Sequence, residues 1–158
     1  MSTGAAAVAP ISAQYPPTHL RIPSIAIDAS IDEVRNNPSG ELYPPEDVDR
    51  VGWWSPGARP TGPGSTVLLA HVDSQVQGRG VFFDLRSTAT GADVVVDTAS
   101  GPVHYVVTSV EEYDKKELPV ELFSIVGDRR LVLITCGGDF DRESGNYDDN
   151  IVVTATPA

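Results

Sequence analysis

Apolar and polar residues alternate along much of this chain, and two runs break the alternation. Leu131, Val132, Leu133 and Ile134 follow one another without a polar interruption, as do Val67, Leu68, Leu69 and Ala70. An unbroken apolar run of this length predicts a strand buried on both faces, hence a central strand of a sheet and not an edge. Residues 20–31 alternate instead, through Leu20, Ile22, Ile25, Ile27, Ala29 and Ile31. Pro23 lies inside that segment, which predicts a strand pair or a bent edge strand, because proline is tolerated only where no N–H is needed. Residues 51–54 restart the sheet, and alternation sends one of Trp53 and Trp54 inward and the other outward.

Turn chemistry punctuates the rest. Residues 36–40, 44–49 and 57–64 are loops rich in Asn, Pro, Gly and Ser,. Residues 93–97 and 103–110 read as strands joined by a hairpin over 98–102, and residues 149–154 as the last strand. Residues 80–86 and 119–126 each suit a short helix or turn. About eight short strands with no long helical period predict an all-β barrel or sandwich.

Composition narrows this picture. A chain of 158 residues, 41% apolar and 21% charged, suits one domain with a sizeable core,. Residues 1–17 are mostly small residues and prolines, a flexible lead-in, leaving residues 18–158 as the domain proper. Eleven basic against twenty-two acidic residues give a net charge of -11, which argues against a nucleic-acid partner, since phosphate binding depends on Lys and Arg clusters. The acidity is spread through loops and reads as a solubilising surface. A single cysteine permits no internal disulfide,. No apolar run of about 18 residues and no signal-peptide pattern occurs in the chain.

The chemistry gathers where the two apolar runs end. One delivers Cys136, followed by Gly137 and Gly138; the other delivers His71, followed by Asp73, Ser74 and Gln75. A lone cysteine beside an apolar strand is ordinarily a small core residue. The two glycines change that reading, because they let the backbone turn and approach a ligand closely while the thiol stays accessible. A free thiol supplies little thiolate at neutral pH, so a nucleophilic cysteine calls for a neighbouring imidazole. His71 is the candidate, since His19 falls in the loosely structured lead-in and His104 inside an alternating strand. The backbone N–H of Gly137 is a candidate oxyanion donor. Asp139, Asp141 and Glu143 alternate without the remainder of a calcium loop, so no metal and no other cofactor is expected.

The segments LLAHVDS around His71, LITCGGDFD around Cys136, YDDNIVV after it, and the earlier RIPSIAIDASID and GWWSPGARPTGPGS together resemble a class F sortase of Gram-positive bacteria. The resemblance covers nearly everything from about residue 17 onward. It implies an eight-stranded sortase β-barrel with one or two short helices, and an extracytoplasmic cysteine transpeptidase at the cell surface, membrane-anchored in its full-length form. The partners implied are proteins bearing an LPXTG-type sorting signal, cleaved between Thr and Gly, and an amine acceptor, commonly a cell-wall precursor. Cys136 takes the position of the nucleophile that holds the thioester, and His71 that of the proton donor to the leaving amine. Thr135 precedes the nucleophile, where a hydroxyl helps hold the intermediate. Sortases also carry an Arg on the strand after the cysteine loop, where this chain reads Asp148, Asp149, Asn150, Ile151. Either Asn150 donates as a neutral amide, or Arg142 swings in from the loop, or the enzyme is weak. Two other activities fit the same residues: a cysteine peptidase that releases its acyl-enzyme to water, and a catalytically silent barrel that binds peptide.

Overall fold

The computed structural model describes residues 14–141 and 146–158, with side chains described through Thr135 and again from Asp149. Eight strands close into one barrel: β1 (Pro17–Ile22), β2 (Ile27–Val34), β3 (Val51–Trp54), β4 (Ser65–Leu69), β7 (Asp93–Thr98), β8 (Gly101–Asp114), β9 (Arg130–Asp141) and β10 (Asn146–Pro157). Their order around the barrel is β1-β2-β3-β4-β9-β10-β8-β7, with β7 returning to β1. A separate hairpin of two very short strands, β5 (Asp73–Ser74) and β6 (Gly78–Arg79), follows β4. The expected eight-stranded all-β barrel is what forms. Its short helices are all 3-10 turns among the described residues, the longest being Val120–Phe123.

The alternation explains the barrel interior. Leu20 and Ile22 of β1, Ile27 and Ala29 of β2, Val94 and Val96 of β7, and Ile151, Val153 and Ala155 of β10 all enter one buried cluster. These are residues two apart on their strands, as a pleated strand with one face on the core requires. Pro23 is accommodated by a 3-10 turn, Pro23–Ile25, that separates β1 from β2. Trp53 points into the interior and donates its indole N–H to the Ala58 carbonyl, while Trp54 lies on the outer side and meets the Phe123 ring edge-on at 5.3 Å.

β4 and β9 bury both faces, as their apolar runs require. Leu68, Leu131 and Leu133 face the interior; Val67, Leu69, Val132 and Ile134 form a second cluster outside it with Val152. That outer cluster is roofed by Leu42 from the segment after β2, Trp54 at the end of β3, and Leu118, Leu122 and Phe123 from the segment after β8. Arg50, just before β3, ties that end to β2: its guanidinium donates two hydrogen bonds of 2.6 Å to the Asp32 carboxylate.

Three local expectations are corrected. Gly137 and Gly138 do not end the cysteine strand: β9 continues to Asp141, because β10 keeps supplying hydrogen-bonding partners beyond them. A register shift between Tyr147 and Asp149 absorbs the irregularity. His19 is not in a loose lead-in but inside β1, paired across to Ser30 and bonded to the Asp28 carboxylate. Pro17 likewise opens β1 and is not part of a lead-in; residues 1–13 lie outside the described residues.

Candidate active site

β4 and β9 run parallel, with Ser65 opposite Arg130 and Leu69 opposite Ile134. The pairing ends there, yet two contacts carry it one residue further. The Ala70 N–H donates to the Ile134 carbonyl at 3.3 Å, and the buried Thr135 hydroxyl donates to the Ala70 carbonyl at 2.7 Å. The same offset counted forward once more makes His71 the counterpart of Cys136. On the other side of β9, Cys136 pairs directly with Asn150 of β10. The backbone at Cys136 therefore stands in line between His71 and Asn150, about one interstrand spacing, ~4.8 Å, from its β10 neighbour. The side chains of Cys136, Asp139 and Asp141 are outside the described residues, as are Arg142 and Glu143 entirely.

The cleft lies where β4 and β9 cease to pair. Its volume is about 1010 Å³, at the upper end of what ligand sites have, about 300–1,000 Å³. Its floor is Leu69, Ala70, His71, Ile134, Thr135 and Asn150. One wall is the segment from Glu41 to Val48; a second is the β5–β6 hairpin with Val72 and Gln77; the third is Lys115, Leu118 and Phe123. Leu42, Leu118 and Phe123 also roof the outer cluster, so the cleft opens where that roof stops covering the sheet.

Several contacts give the walls their shape. Gln77 ties two of them together: its side-chain amide donates to the Glu46 carbonyl at 2.9 Å and its carbonyl oxygen accepts from the Val48 N–H at 3.2 Å. Nothing in the sequence pattern marks Gln77, because a glutamine in a polar turn is ordinary and its two partners lie about thirty residues back. Glu41 accepts from the Tyr43 hydroxyl and the Asn37 amide, and these bonds hold its carboxyl below the usual range.

Of the residues singled out in the sequence, His71, Thr135 and Asn150 are brought together. The His71 and Asn150 side chains are half-buried, and neither is hydrogen-bonded among the described residues. Asn150 shares the outer face of β10 with Val152, whereas Asp149 turns to the Glu112 carboxyl. That hydrogen bond between two acids pushes the Asp149 carboxyl up from its ordinary value, and Arg86 pairs with Glu112 from the far side at 2.9 Å. The negative charge beside the cleft floor is thus directed away from it. His104 is exposed on β8, and no group of three or more His, Cys, Asp or Glu gathers as a metal site among the described residues. No helix among the described residues is long and apolar enough to cross a membrane, which says nothing of strands.

Comparison with known proteins agrees with the barrel fold. The family model described as a sortase domain matches residues 20–158. Among solved structures, sortase C2 of Group B Streptococcus pilus island 1 superposes with a TM-score of 0.68 at 21% identity, over 89% of this chain and 73% of that one. Sortase C1 of the same pilus island gives 0.67 at 21% identity, over 89% of this chain and 63% of that one, so the chain spans less than two thirds of that relative. A lid mutant of sortase A from Corynebacterium diphtheriae gives 0.70 at 16% identity, over 94% and 74%. At these identities the structural likeness is one of fold. No curated protein matches the sequence.

Proposed function

This chain belongs to the sortase family, and from that premise we propose that it is a class F cysteine transpeptidase acting on LPXTG-type sorting signals at the extracytoplasmic surface of a Gram-positive cell. The observation that carries the reading is the line of His71, Cys136 and Asn150, from just past the end of β4 across β9 to β10, at the floor of a cleft of about 1010 Å³. The class assignment is supported by the motifs around His71 and Cys136.

In this reading the Cys136 thiolate attacks the Thr carbonyl of the signal peptide. The carbonyl oxygen gains the negative charge and is met by the Gly137 N–H together with a side-chain donor, Asn150 or Arg142. Collapse of the intermediate breaks the C–N bond; the departing Gly amine takes its proton from His71, and the acyl group remains as a thioester on sulfur. An acceptor amine of a cell-wall precursor then attacks the thioester, gives its proton to His71, and expels the thiolate. Thr135 contributes from behind: its hydroxyl proton is committed to Ala70, which ties the nucleophile's strand to the segment that carries His71.

The test is the mass of the protein and its products after incubation with an LPXTG-type peptide, with and without a small amine. A thioester on the wild-type chain, its absence in Cys136→Ala, and a new amide product that grows with amine concentration are the expected results. Free acid alone at every amine concentration would make the protein a cysteine peptidase. Peptide binding without any thioester would make it a silent barrel.

A further inference from the structure

His71 leaves β4 on a short unpaired stretch, so its side chain needs another source of fixed direction. The two peptide planes flanking its Cα supply one. The plane before it is held through the Ala70 carbonyl by Thr135, and the plane after it through the His71 carbonyl, which accepts the Phe82 N–H at 3.2 Å. The second hold depends on residue 80. Gly80 is buried, donates its N–H to the Val72 carbonyl at 2.8 Å, and passes directly over the His71 carbonyl. A Cβ at position 80 would lie 2.2 Å from the His71 oxygen, 2.8 Å from its carbonyl carbon and 3.3 Å from its Cβ. The φ of Gly80 is not in the left-handed region, so glycine is required here by close approach and not by backbone conformation.

We propose that Gly80 is a positioning residue for His71: the missing side chain lets the turn segment from Gly80 to Phe82 close onto the His71 carbonyl and aim the imidazole into the cleft. The contact is between two backbones, so neither side yields by a rotamer change. Phe82 and Leu85, both fully buried in the barrel interior, hold the segment from behind. The displaced element is therefore the unpaired stretch at His71. The inference rests on the assignment of His71 as proton donor in the preceding section.

The experiment compares wild-type, Gly80→Ala and His71→Ala by single-turnover acylation with an LPXTG-type peptide, and by the pH dependence of Cys136 alkylation with iodoacetamide. A displacement of about 1 Å at a catalytic group costs on the order of 100-fold, so acylation in Gly80→Ala is expected to fall roughly 10- to 100-fold with peptide KM little changed. Its alkylation profile is expected to move toward that of His71→Ala, which a merely structural defect would not produce. A folded Gly80→Ala with wild-type acylation and an unshifted profile overturns the inference while leaving the transpeptidase reading intact. A wild-type chain that forms no thioester overturns both. Should Gly80→Ala fail to fold, amide hydrogen exchange on the wild-type protein decides: the Gly80 and Phe82 amides should be strongly protected relative to those of Val76 and Gln77 in the hairpin turn, and equal exchange at all four removes the contact on which the inference stands.

Discussion

Thr135→Val isolates what one buried hydroxyl does at this site. The side chain is 4% exposed and donates to the carbonyl of Ala70, itself buried. Valine has nearly the same shape and an equal liking for strands, so the substitution leaves no cavity and removes only the donor. Taking the partner from a buried acceptor costs about 1–3 kcal/mol. The added methyl returns ~0.8 kcal/mol of apolar burial, leaving a net loss of roughly 0.2–2.2 kcal/mol. For a domain of this size each kcal/mol lowers Tm by about 2–4 °C, so a drop of up to roughly 9 °C is expected. Thr135→Ser does the opposite, keeping the hydroxyl and losing a methyl at a cost of about 1 kcal/mol. The two variants are therefore similarly destabilised but differ at the active site. Serine keeps the Ala70 carbonyl, and with it the peptide plane before His71, in place; valine releases it. Urea unfolding gives the stabilities, and single-turnover acylation followed by mass spectrometry gives the chemistry. Serine should retain most of the acylation rate and valine should lose tenfold or more. Equal losses in the two, or a valine variant with wild-type stability and rate, would refute the reasoning.

Asn150→Ala is expected to slow acylation by about 100- to 1,000-fold, ~2.7–4 kcal/mol, if the amide is the side-chain oxyanion donor, with Arg142→Ala doing little. The inverse pattern, with Arg142→Lys failing nearly as badly as Ala, would assign that role to the guanidinium, because an ammonium lacks its planar fork; small effects from both would leave the oxyanion to backbone N–H groups. The Asp149–Glu112 contact sets a pH dependence. Asp149 titrates above its ordinary value in the folded chain, so the folded state binds the proton more tightly, and the stability this contributes is present below the unfolded aspartate value, about 3.9, and lost as pH rises through the raised folded one. Asp149→Asn should accordingly raise Tm at neutral pH, and the gain should close in acid; a gap that is constant with pH would show that the shared proton plays no part.

The period-two pattern determined which residues turn inward on β1 and β2, and the unbroken runs 67–70 and 131–134 determined that β4 and β9 lie where both faces are covered. The same pattern placed the chain's one thiol and one of its imidazoles just past these two apolar runs, although β9 itself continues beyond Cys136 to Asp141. Side-chain alternation is a property of a single strand, however, and says which face a residue takes without saying which strand lies beside it. The pairing of β4 with β9, residues 65 apart, follows from closing the barrel, and only that pairing aligns His71 with Cys136, while the pairing of β9 with β10 sets Asn150 on the opposite flank. The two glycines after Cys136 illustrate the limit from the other direction. Their conformational freedom reads as a chain turn, but β10 lies alongside and continues the ladder past them, because hydrogen bonds offered by a neighbouring strand outweigh a local preference. In the sequence Gly80 reads as no more than the first residue of a short helix or turn over 80–86. What makes it necessary is the His71 carbonyl against which it packs, and a contact between backbones leaves no mark in a pattern of side chains.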